Sequence, residues 1–424
     1  MSKSKKAKRF MELEGLRGLA ALVVVLHHVV YMFYTPLNTG KMGVDHNPFP
    51  FEQHIYGTPL ALVYAGTLAV AIFFVLSGFV LSIGYFQTKN KAIIRKLAAS
   101  RYLRLMLPAL ASVLIAYVVM ASGLNGVLAN AAATIGGGSG YANALQFDAS
   151  FLDALKNGAI EIFVSDRHPY NTVLWTMFIE FWGSFMVFGF LLLFAKLKYR
   201  WLAYLAFSVL TFNTWFLPFI IGMVIADLYA NGWFKKVKHQ KYIVPALLTG
   251  AVVFGSFPNQ RIKGTVYENL NIIQTLLPDI HRKMFFVTLA ATLLLVAVLM
   301  SKPLASWLKR VSWLGKYTYS LYLTHKFVLF VFASFIFLTF LPMGYNKAVF
   351  FAVTLSIPVF ILVTYLFEKY IDAPSIRLAS KFARLFSREN MLSLQERWVE
   401  LRMRAIYVRY LIRYRLFPDR ADDE

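Results

Sequence analysis

The feature of this 424-residue sequence that most restricts its fold is a series of long, almost uncharged apolar runs. Apolar residues make up 58% of the chain and charged residues only 15%. Several runs reach the ~20 residues that a helix needs to cross the hydrocarbon core of a bilayer. Backbone polar groups in lipid must be satisfied within the segment itself, which favours helices. The sequence therefore predicts an all-α, polytopic membrane protein.

Breaker residues and charged loops divide the apolar runs into about ten candidate transmembrane helices. Their approximate ranges are 17–34, 60–86, 103–121, 172–195, 199–212, 215–230, 242–257, 284–301, 316–340 and 347–368. The fifth and sixth are short. Residues 1–379 are expected to form this membrane domain, and residues 380–424 a cytoplasmic tail.

The distribution of positive charge predicts the orientation. Most of the 44 Lys and Arg residues fall in alternate loops between the candidate spans and at the two ends of the chain. Because cytoplasmic loops carry an excess of Lys and Arg, this places both termini inside, with residues 2–9 leading into an uncleaved first span. The net charge of +23 is thus explained by topology, and no nucleic acid partner is expected.

Two segments lie outside the candidate spans. Residues 122–171, which include the run Gly136–Gly138, form a long loop on the predicted outer face. A small folded or substrate-covering element fits a loop of this length, and so does a flexible connector. The tail is expected to be a basic amphipathic helix on the anionic inner leaflet, although a platform for a partner enzyme stays open. Its arginines include Arg384, Arg388, Arg397, Arg402, Arg404, Arg409, Arg413 and Arg415.

The chain contains no cysteine, which excludes disulfides, thiolate metal sites and a cysteinyl acyl intermediate. A covalent intermediate would have to form on Ser, His or Tyr. No metal is expected from the sequence.

Ionisable residues in and beside the first span are the first candidates for a functional site. Eleven residues at about 100° each bring Arg17 and His28 to within ~20° of one helix face, ~16 Å apart along the axis. Such side chains are costly in hydrocarbon and indicate function. His27 points about 100° away from His28, so only one of the two is expected to face the site.

Depth along the spans suggests partners for His28. Counted from the predicted span ends, Glu180 lies ~12 Å below the outer surface and His325 ~13 Å above the inner one, so both fall near the level of His28. A carboxylate that orients an imidazole gives a general base, which can activate a hydroxyl for attack on an acyl carbon. Alternatively, each histidine is satisfied by a neighbouring helix.

Three arginines are predicted at the cytoplasmic feet of two spans. Arg101 and Arg104 are three residues apart and share a helix face, and Arg17 lies at the foot of the first span. Planar guanidinium groups suit multidentate binding of phosphate. Ordinary positive-inside anchoring is the alternative.

These residues belong to six motifs that occur in series. They are Glu14-Gly15-Leu16-Arg17-Gly18 with His28, Phe73-Phe74-Val75-Leu76-Ser77-Gly78-Phe79, Arg101-Tyr102-Leu103-Arg104 with Pro108, Leu174-Trp175-Thr176 with Glu180, Tyr319-Ser320-Leu321-Tyr322-Leu323 with His325, and Glu368 with Asp372 and Pro374. In this order, over roughly residues 12–380, the sequence resembles the bacterial acyltransferase 3 family.

The resemblance implies a ten-helix O-acyltransferase of the bacterial inner membrane. Such a protein takes an acyl group, usually acetyl, from cytoplasmic acyl-coenzyme A and places it on a hydroxyl, commonly of a sugar in a surface or secreted glycan. Carried over by position, Arg17, Arg101 and Arg104 would hold the coenzyme A phosphates, and His28 would be the catalytic base. The assignment of Glu180 as the orienting carboxylate rests more on depth than on the family.

Further candidate site residues come from the same motifs: Glu14, Ser77, Trp175, Tyr322 and His325. One position departs from the family pattern, because Ala71 stands where many members carry an acid two residues before the paired phenylalanines. With no acid at position 71, Glu180 is the acidic residue expected to take a larger part in the reaction.

A transporter or a flippase-like component of glycan export is the alternative function. It would also place polar residues at the midplane, but no inverted repeat or matching pair of Gly- or Pro-interrupted spans is evident. The acceptor, the acyl length and the oligomeric state stay open.

Overall fold

The computed structural model describes residues 10–40, 52–135, 141, 143–260, 262–276, 280–385, 401–403 and 405–406. Within these ranges the chain is helical and contains no strand. The start of the chain, the Gly136–Gly138 run and most of the tail arginines lie outside the described residues. Ten apolar helical segments follow in chain order: α1 Met11–Phe33, α2 Gly66–Thr88, α3 Lys91–Ala121, α4 Thr172–Leu193, α5 Arg200–Leu210, α6 Leu217–Ala230, α7 Gln240–Gly255, α8 Arg282–Met300, α9 Ser312–Met343 and α10 Tyr345–Leu385.

Seven of these segments are long and apolar enough to cross a membrane, namely α1–α4 and α8–α10. The other three, α5–α7, have 10–17 residues. Each predicted span thus coincides with a helical segment, and the all-α polytopic architecture is confirmed. The count of ten crossings and the cytoplasmic placement of both termini stay predictions.

Short helices connect the apolar segments. They are Pro36–Thr39, Glu52–Ile55, Pro59–Tyr64, Asn125–Ile135, Phe151–Lys156, Asn157–Glu161, Ile162–Val164, Trp233–Lys236, Glu268–Asn271, Ile272–Leu276 and Lys302–Arg310. The last of these precedes α9.

Helix α2 is the most buried of the long helices and packs against α1, α4, α6 and α8. Its closest neighbour is α6, where Gly78 and Gly222 face each other. A methyl group on Gly78 would overlap the carbonyl oxygen of Phe219, and one on Gly222 would overlap that of Val75. Small residues let membrane helices approach backbone to backbone, so the glycine of the second motif is explained by packing.

The glycines of the first motif have a similar role on α1. Gly15 lies against the carbonyl of Leu308, shortly before α9, and Gly18 lies against Leu314 in the first turn of α9. This contact fixes one face of α1 against α9. Arg17 then faces the interior of the bundle, where it lines a cavity.

Helices α9 and α10 each contain a π-helical turn, at Val328–Ala333 and Glu368–Asp372. The first begins two residues after Lys326, and such turns occur often at functional sites. Beyond the second, residues Ala373–Leu385 pack against α3, so α10 continues past the predicted end of the membrane domain at residue 379.

The long loop contains folded elements in its described part. Arg167 donates to Asp153 (2.8 Å) and to Glu161 (2.5 Å), and Lys156 lies 2.9 Å from Glu161. Hydrogen bonds from Lys156 and Arg167 lower the pKa of the Glu161 carboxyl to about 2. Asn125 also donates to the carbonyl of Leu145 (2.9 Å). Of the two readings of this loop, a folded element fits these contacts.

Candidate active site

Two of the cavities formed by the described residues share two lining residues, Val70 and Tyr322. The arginine cavity, of about 210 Å³, is lined by Arg17, Arg101 and Arg104 among others. The histidine cavity, of about 610 Å³, is lined by His27, His28 and Lys326 among others. The two shared residues therefore form the partition between a smaller cavity rich in guanidinium groups and a larger one rich in imidazoles.

The arginine cavity unites residues that the sequence separates widely. Arg17 comes from α1, and Arg101 and Arg104 come from α3, as the phosphate-site hypothesis requires. Glu14 lies one turn before Arg17, with 3.7 Å between its Oε2 and the Arg17 Nη1. Both side chains of this pair are about one-third exposed, so the pair constrains Arg17 only weakly.

Glu180 also belongs to the arginine cavity. Its carboxylate accepts a hydrogen bond from the Arg101 guanidinium and another from the Ser77 hydroxyl (2.7 Å). Only 11% of the Arg101 side chain and 15% of the Glu180 side chain are exposed. One of the three arginines is thus already paired with an acid inside the protein.

This placement contradicts the predicted pairing of Glu180 with His28. Trp175 lines the histidine cavity, whereas Glu180, five residues further along α4, lines the arginine cavity. Five residues of helix span ~7.5 Å, so α4 runs past the partition. Counting residues along the span gave the depth of Glu180 in the membrane. It could not show on which side of Tyr322 the Glu180 side chain would lie.

His325, not a carboxylate, is the side chain that meets His28. The Nδ1 of His28 lies 2.8 Å from the carbonyl oxygen of Val24 and 3.3 Å from the Nε2 of His325. The Nδ1 of His325 lies 3.0 Å from the carbonyl oxygen of Leu321. A carbonyl can only accept, so both histidines carry the proton on Nδ1. His28 Nε2 then keeps its lone pair, as a general base requires.

His27 lines the same cavity as His28, contrary to the expectation that only one of them would. Their rings meet edge to face with centroids 5.1 Å apart. The histidine cavity is wide enough for His27 and His28 to line it together, although their side chains point about 100° apart on α1. His27 Nδ1 lies 3.1 Å from the carbonyl oxygen of Tyr64, and the side chain also lines a second, smaller cavity. In the described ranges, no group of three or more His, Asp or Glu side chains is placed to hold a metal ion.

The partition residue Tyr322 is fixed by its hydroxyl group. That oxygen lies 2.8 Å from the carbonyl oxygen of Val173, to which it donates, and 2.9 Å from the Thr176 hydroxyl. Trp175 packs nearby against Trp215, with ring centroids 5.6 Å apart. The beginning of α4 therefore holds the partition in place.

Sequence reasoning missed Lys326, Thr172, Tyr31 and Tyr141, which also line the histidine cavity. Lys326 could have been found, because it is a charge in an otherwise apolar run directly after His325. Tyr141 carries no such signal, since it stands in the long loop and reaches the cavity only through the tertiary fold.

The comparison with protein families gives one match. The family model of the acyltransferase 3 family, described as an acyltransferase domain, matches residues 11–368. This range covers α1–α9 and most of the apolar part of α10. No curated protein matches the chain, and no solved structure does.

Proposed function

The chain belongs to the acyltransferase 3 family, and on this premise we propose that it is an O-acyltransferase of the bacterial inner membrane. Its donor is acyl-coenzyme A, with acetyl the expected acyl group, and its acceptor is a hydroxyl of a sugar in a glycan. The observation that carries the proposal is the pair of cavities that share Val70 and Tyr322. A thioester bound at one and a hydroxyl bound at the other can meet only at this partition.

The donor is assigned to the arginine cavity. Arg17 and Arg104 offer guanidinium groups that suit the phosphates of coenzyme A, and Arg101 becomes available if it exchanges Glu180 for phosphate. Apolar side chains such as Phe73 and Leu97 line the rest of this cavity and suit the pantetheine arm. By the distribution of Lys and Arg, this cavity faces the cytoplasm, where acyl-coenzyme A is made.

The acceptor is assigned to the histidine cavity, with His28 as the catalytic base. His28 Nε2 takes the proton from the acceptor hydroxyl while its oxygen attacks the thioester carbonyl carbon. A carbon–oxygen bond forms, the carbon–sulfur bond breaks, and the proton on His28 passes to the departing coenzyme A sulfur. The Val24 carbonyl and His325 hold the Nδ1–H tautomer of His28, a task first assigned to Glu180.

Glu180 takes a different role in this proposal. Together with Ser77 it fixes the Arg101 guanidinium at the side of the arginine cavity. Glu180 is therefore the internal counterion of Arg101, which the donor phosphate must replace, and among the described residues no carboxylate contacts His28.

The proposal is tested with radiolabelled acetyl-coenzyme A. Membranes that contain the wild-type protein, with the glycan fraction of the source cells, are expected to release thiol and to transfer label to glycan. His28→Ala should insert into the membrane normally and transfer no label. Equal label transfer by a correctly inserted variant would refute the assignment of His28. Uptake of a glycan without thioester cleavage would favour the transporter alternative.

A further inference from the structure

We propose that the acceptor is an acidic sugar, whose carboxylate or phosphate group binds the Lys326 ammonium in the histidine cavity. This inference rests on the proposed function and adds the chemical class of the acceptor. It starts from the unusual position of Lys326, which is only 3% exposed yet lines a cavity of about 610 Å³.

Among the described residues, the Lys326 ammonium contacts no acidic side chain. Its Nζ donates to the hydroxyl of Thr172 and lies 4.5 Å from the centroid of the Tyr141 ring and 5.5 Å from that of Phe330. Within the described part of the chain, none of the ion pairs involves Lys326. An ammonium group has three donors, and the hydroxyl uses one of them.

The described residues that line the rest of the histidine cavity carry no negative charge either. Among the described residues that line it there is no Asp or Glu, and the titratable groups are imidazoles, phenols and the Lys326 ammonium. Burying a charge is costly unless it is paired, so a buried lysine in such a cavity favours an anionic ligand. The aromatic rings of Tyr31, Tyr141 and Trp175 line the same space and suit the apolar face of a sugar.

The geometry also places the charge beside the reacting group. The Tyr141 ring contacts the Lys326 ammonium and packs against His28 with centroids 6.2 Å apart. Both side chains therefore adjoin one ring. An acidic sugar can present its anionic group to Lys326 while a hydroxyl of the same residue approaches His28 Nε2.

A purely structural role for Lys326 explains these contacts less well. The hydrogen bond to Thr172 at the start of α4 could be made by a neutral side chain without burying an ammonium group. A role in stabilising the oxyanion would affect every acceptor alike. Only recognition of the acceptor's charge makes the ratio of acidic to neutral products depend on this residue.

The test compares glycans from cells that express the wild type, His28→Ala, Lys326→Met or Lys283→Met at equal membrane levels. Released oligosaccharides are separated by anion exchange into neutral and acidic fractions, acidic ones are divided into carboxylate and phosphate classes, and O-acyl groups are counted by mass spectrometry. We expect acyl groups that require His28 to occur in the acidic fraction. Lys326→Met should lower the ratio of acidic to neutral product about tenfold or more, the size of effect typical of losing one charged hydrogen bond.

Lys283 is the matched control, since it is another buried lysine near this end of the bundle. It is 9% exposed, donates to the Phe257 carbonyl oxygen and lines a different, smaller cavity. Lys283→Met is expected to keep the wild-type ratio. Equal shifts in both variants would overturn the assignment to Lys326.

The remaining outcomes separate the inference from the proposed function. His28-dependent acyl groups on neutral glycans would overturn the inference and leave the acyltransferase proposal intact, and so would a Lys326→Met variant with an unchanged ratio. A uniform loss in both fractions would assign Lys326 to oxyanion stabilisation or to folding. The absence of His28-dependent acyl groups from every fraction would overturn the proposed function itself.

Discussion

The two cavities differ in how the positive charge of their basic side chains is balanced. In the arginine cavity, Glu180 neutralises Arg101 and Glu14 lies near Arg17, so part of the positive charge is balanced inside the protein. In the histidine cavity, Lys326 contacts a hydroxyl and aromatic rings. A site with an internal counterion requires its ligand to compete for the cation, whereas a site without one gains its counterion from the ligand. Donor and acceptor sites are thus expected to respond differently to the removal of charge.

Removal of the base should have the largest effect, and it concerns the histidine cavity alone. His28→Ala is expected to lower kcat by about 10²–10⁴, the usual contribution of general acid–base catalysis. His27→Ala is the comparison, because His27 lines the same cavity while its Nδ1 lies beside the Tyr64 carbonyl oxygen and not beside His325, and it should retain most of the activity. Thiol release from acetyl-coenzyme A measures both. A larger loss in His27→Ala than in His28→Ala would exchange their roles.

Removal of Arg104, which takes part in none of the ion pairs formed by the described residues, should weaken donor binding. Arg104→Ala is expected to raise the KM for acetyl-coenzyme A about tenfold or more and to change kcat less, because a charged hydrogen bond to phosphate is lost. Arg95→Ala, on the same helix and exposed, should leave KM unchanged. Initial rates at varied acetyl-coenzyme A distinguish the two. An unchanged KM in Arg104→Ala would remove this residue from the donor site.

Removal of the internal counterion tests the comparison directly. Glu180→Gln keeps the shape of the side chain and frees the Arg101 guanidinium, so the KM for acetyl-coenzyme A should fall severalfold. A rise in KM would mean that Glu180 is needed to hold Arg101 in place. The double variant Glu180→Gln with Arg101→Ala should bind the donor more weakly than Glu180→Gln alone. Equilibrium binding of coenzyme A to the purified protein gives the same comparison without catalysis.

The smallest effect is expected at the loop network near the histidine cavity. The pKa of Glu161 is lowered to about 2 by hydrogen bonds from Lys156 and Arg167, and the Arg167 hydrogen bond lowers the pKa of Asp153. Because the Glu161 pKa is lower in the folded loop, its ion pairs stabilise the loop at pH values above about 4.5. This stabilisation is lost as the pH falls from about 4.5 towards 2. The basic partners Lys156 and Arg167 are exposed to solvent, by 67% and 45% of their side chains, so the change is modest.

Hydrogen exchange of residues 151–164, corrected for the intrinsic rate, measures this prediction. Protection should be constant from pH 7 to 5 and should decrease below pH 4.5. Arg167→Gln is expected to show weaker protection at pH 6 and a flatter pH dependence. Equal profiles for the two proteins would show that the ion pairs do not support the loop.

Much of the site was recognisable from the sequence because ionisable residues in apolar segments are rare. Arg17, His28, Glu180 and His325 stand out for this reason, and all four line or adjoin the two cavities. Their pairing was harder to predict. The hydrogen bonds that Glu180 accepts from Arg101 and Ser77 depend on how α2, α3 and α4 pack together. The spacing of residues along a single helix carries no information about that packing.

The sequence alone determined the membrane architecture, the helical segments and the residue types available for catalysis. These follow from the length of apolar runs and the cost of burying charge, which are local properties of the chain. Only the tertiary structure decided that Tyr322 and Val70 separate two cavities, that His325 meets His28 and that Tyr141 joins Lys326 to the site. Those contacts depend on how helices are rotated against one another. Small residues such as Gly78 and Gly222 set that rotation through packing between segments far apart in the chain.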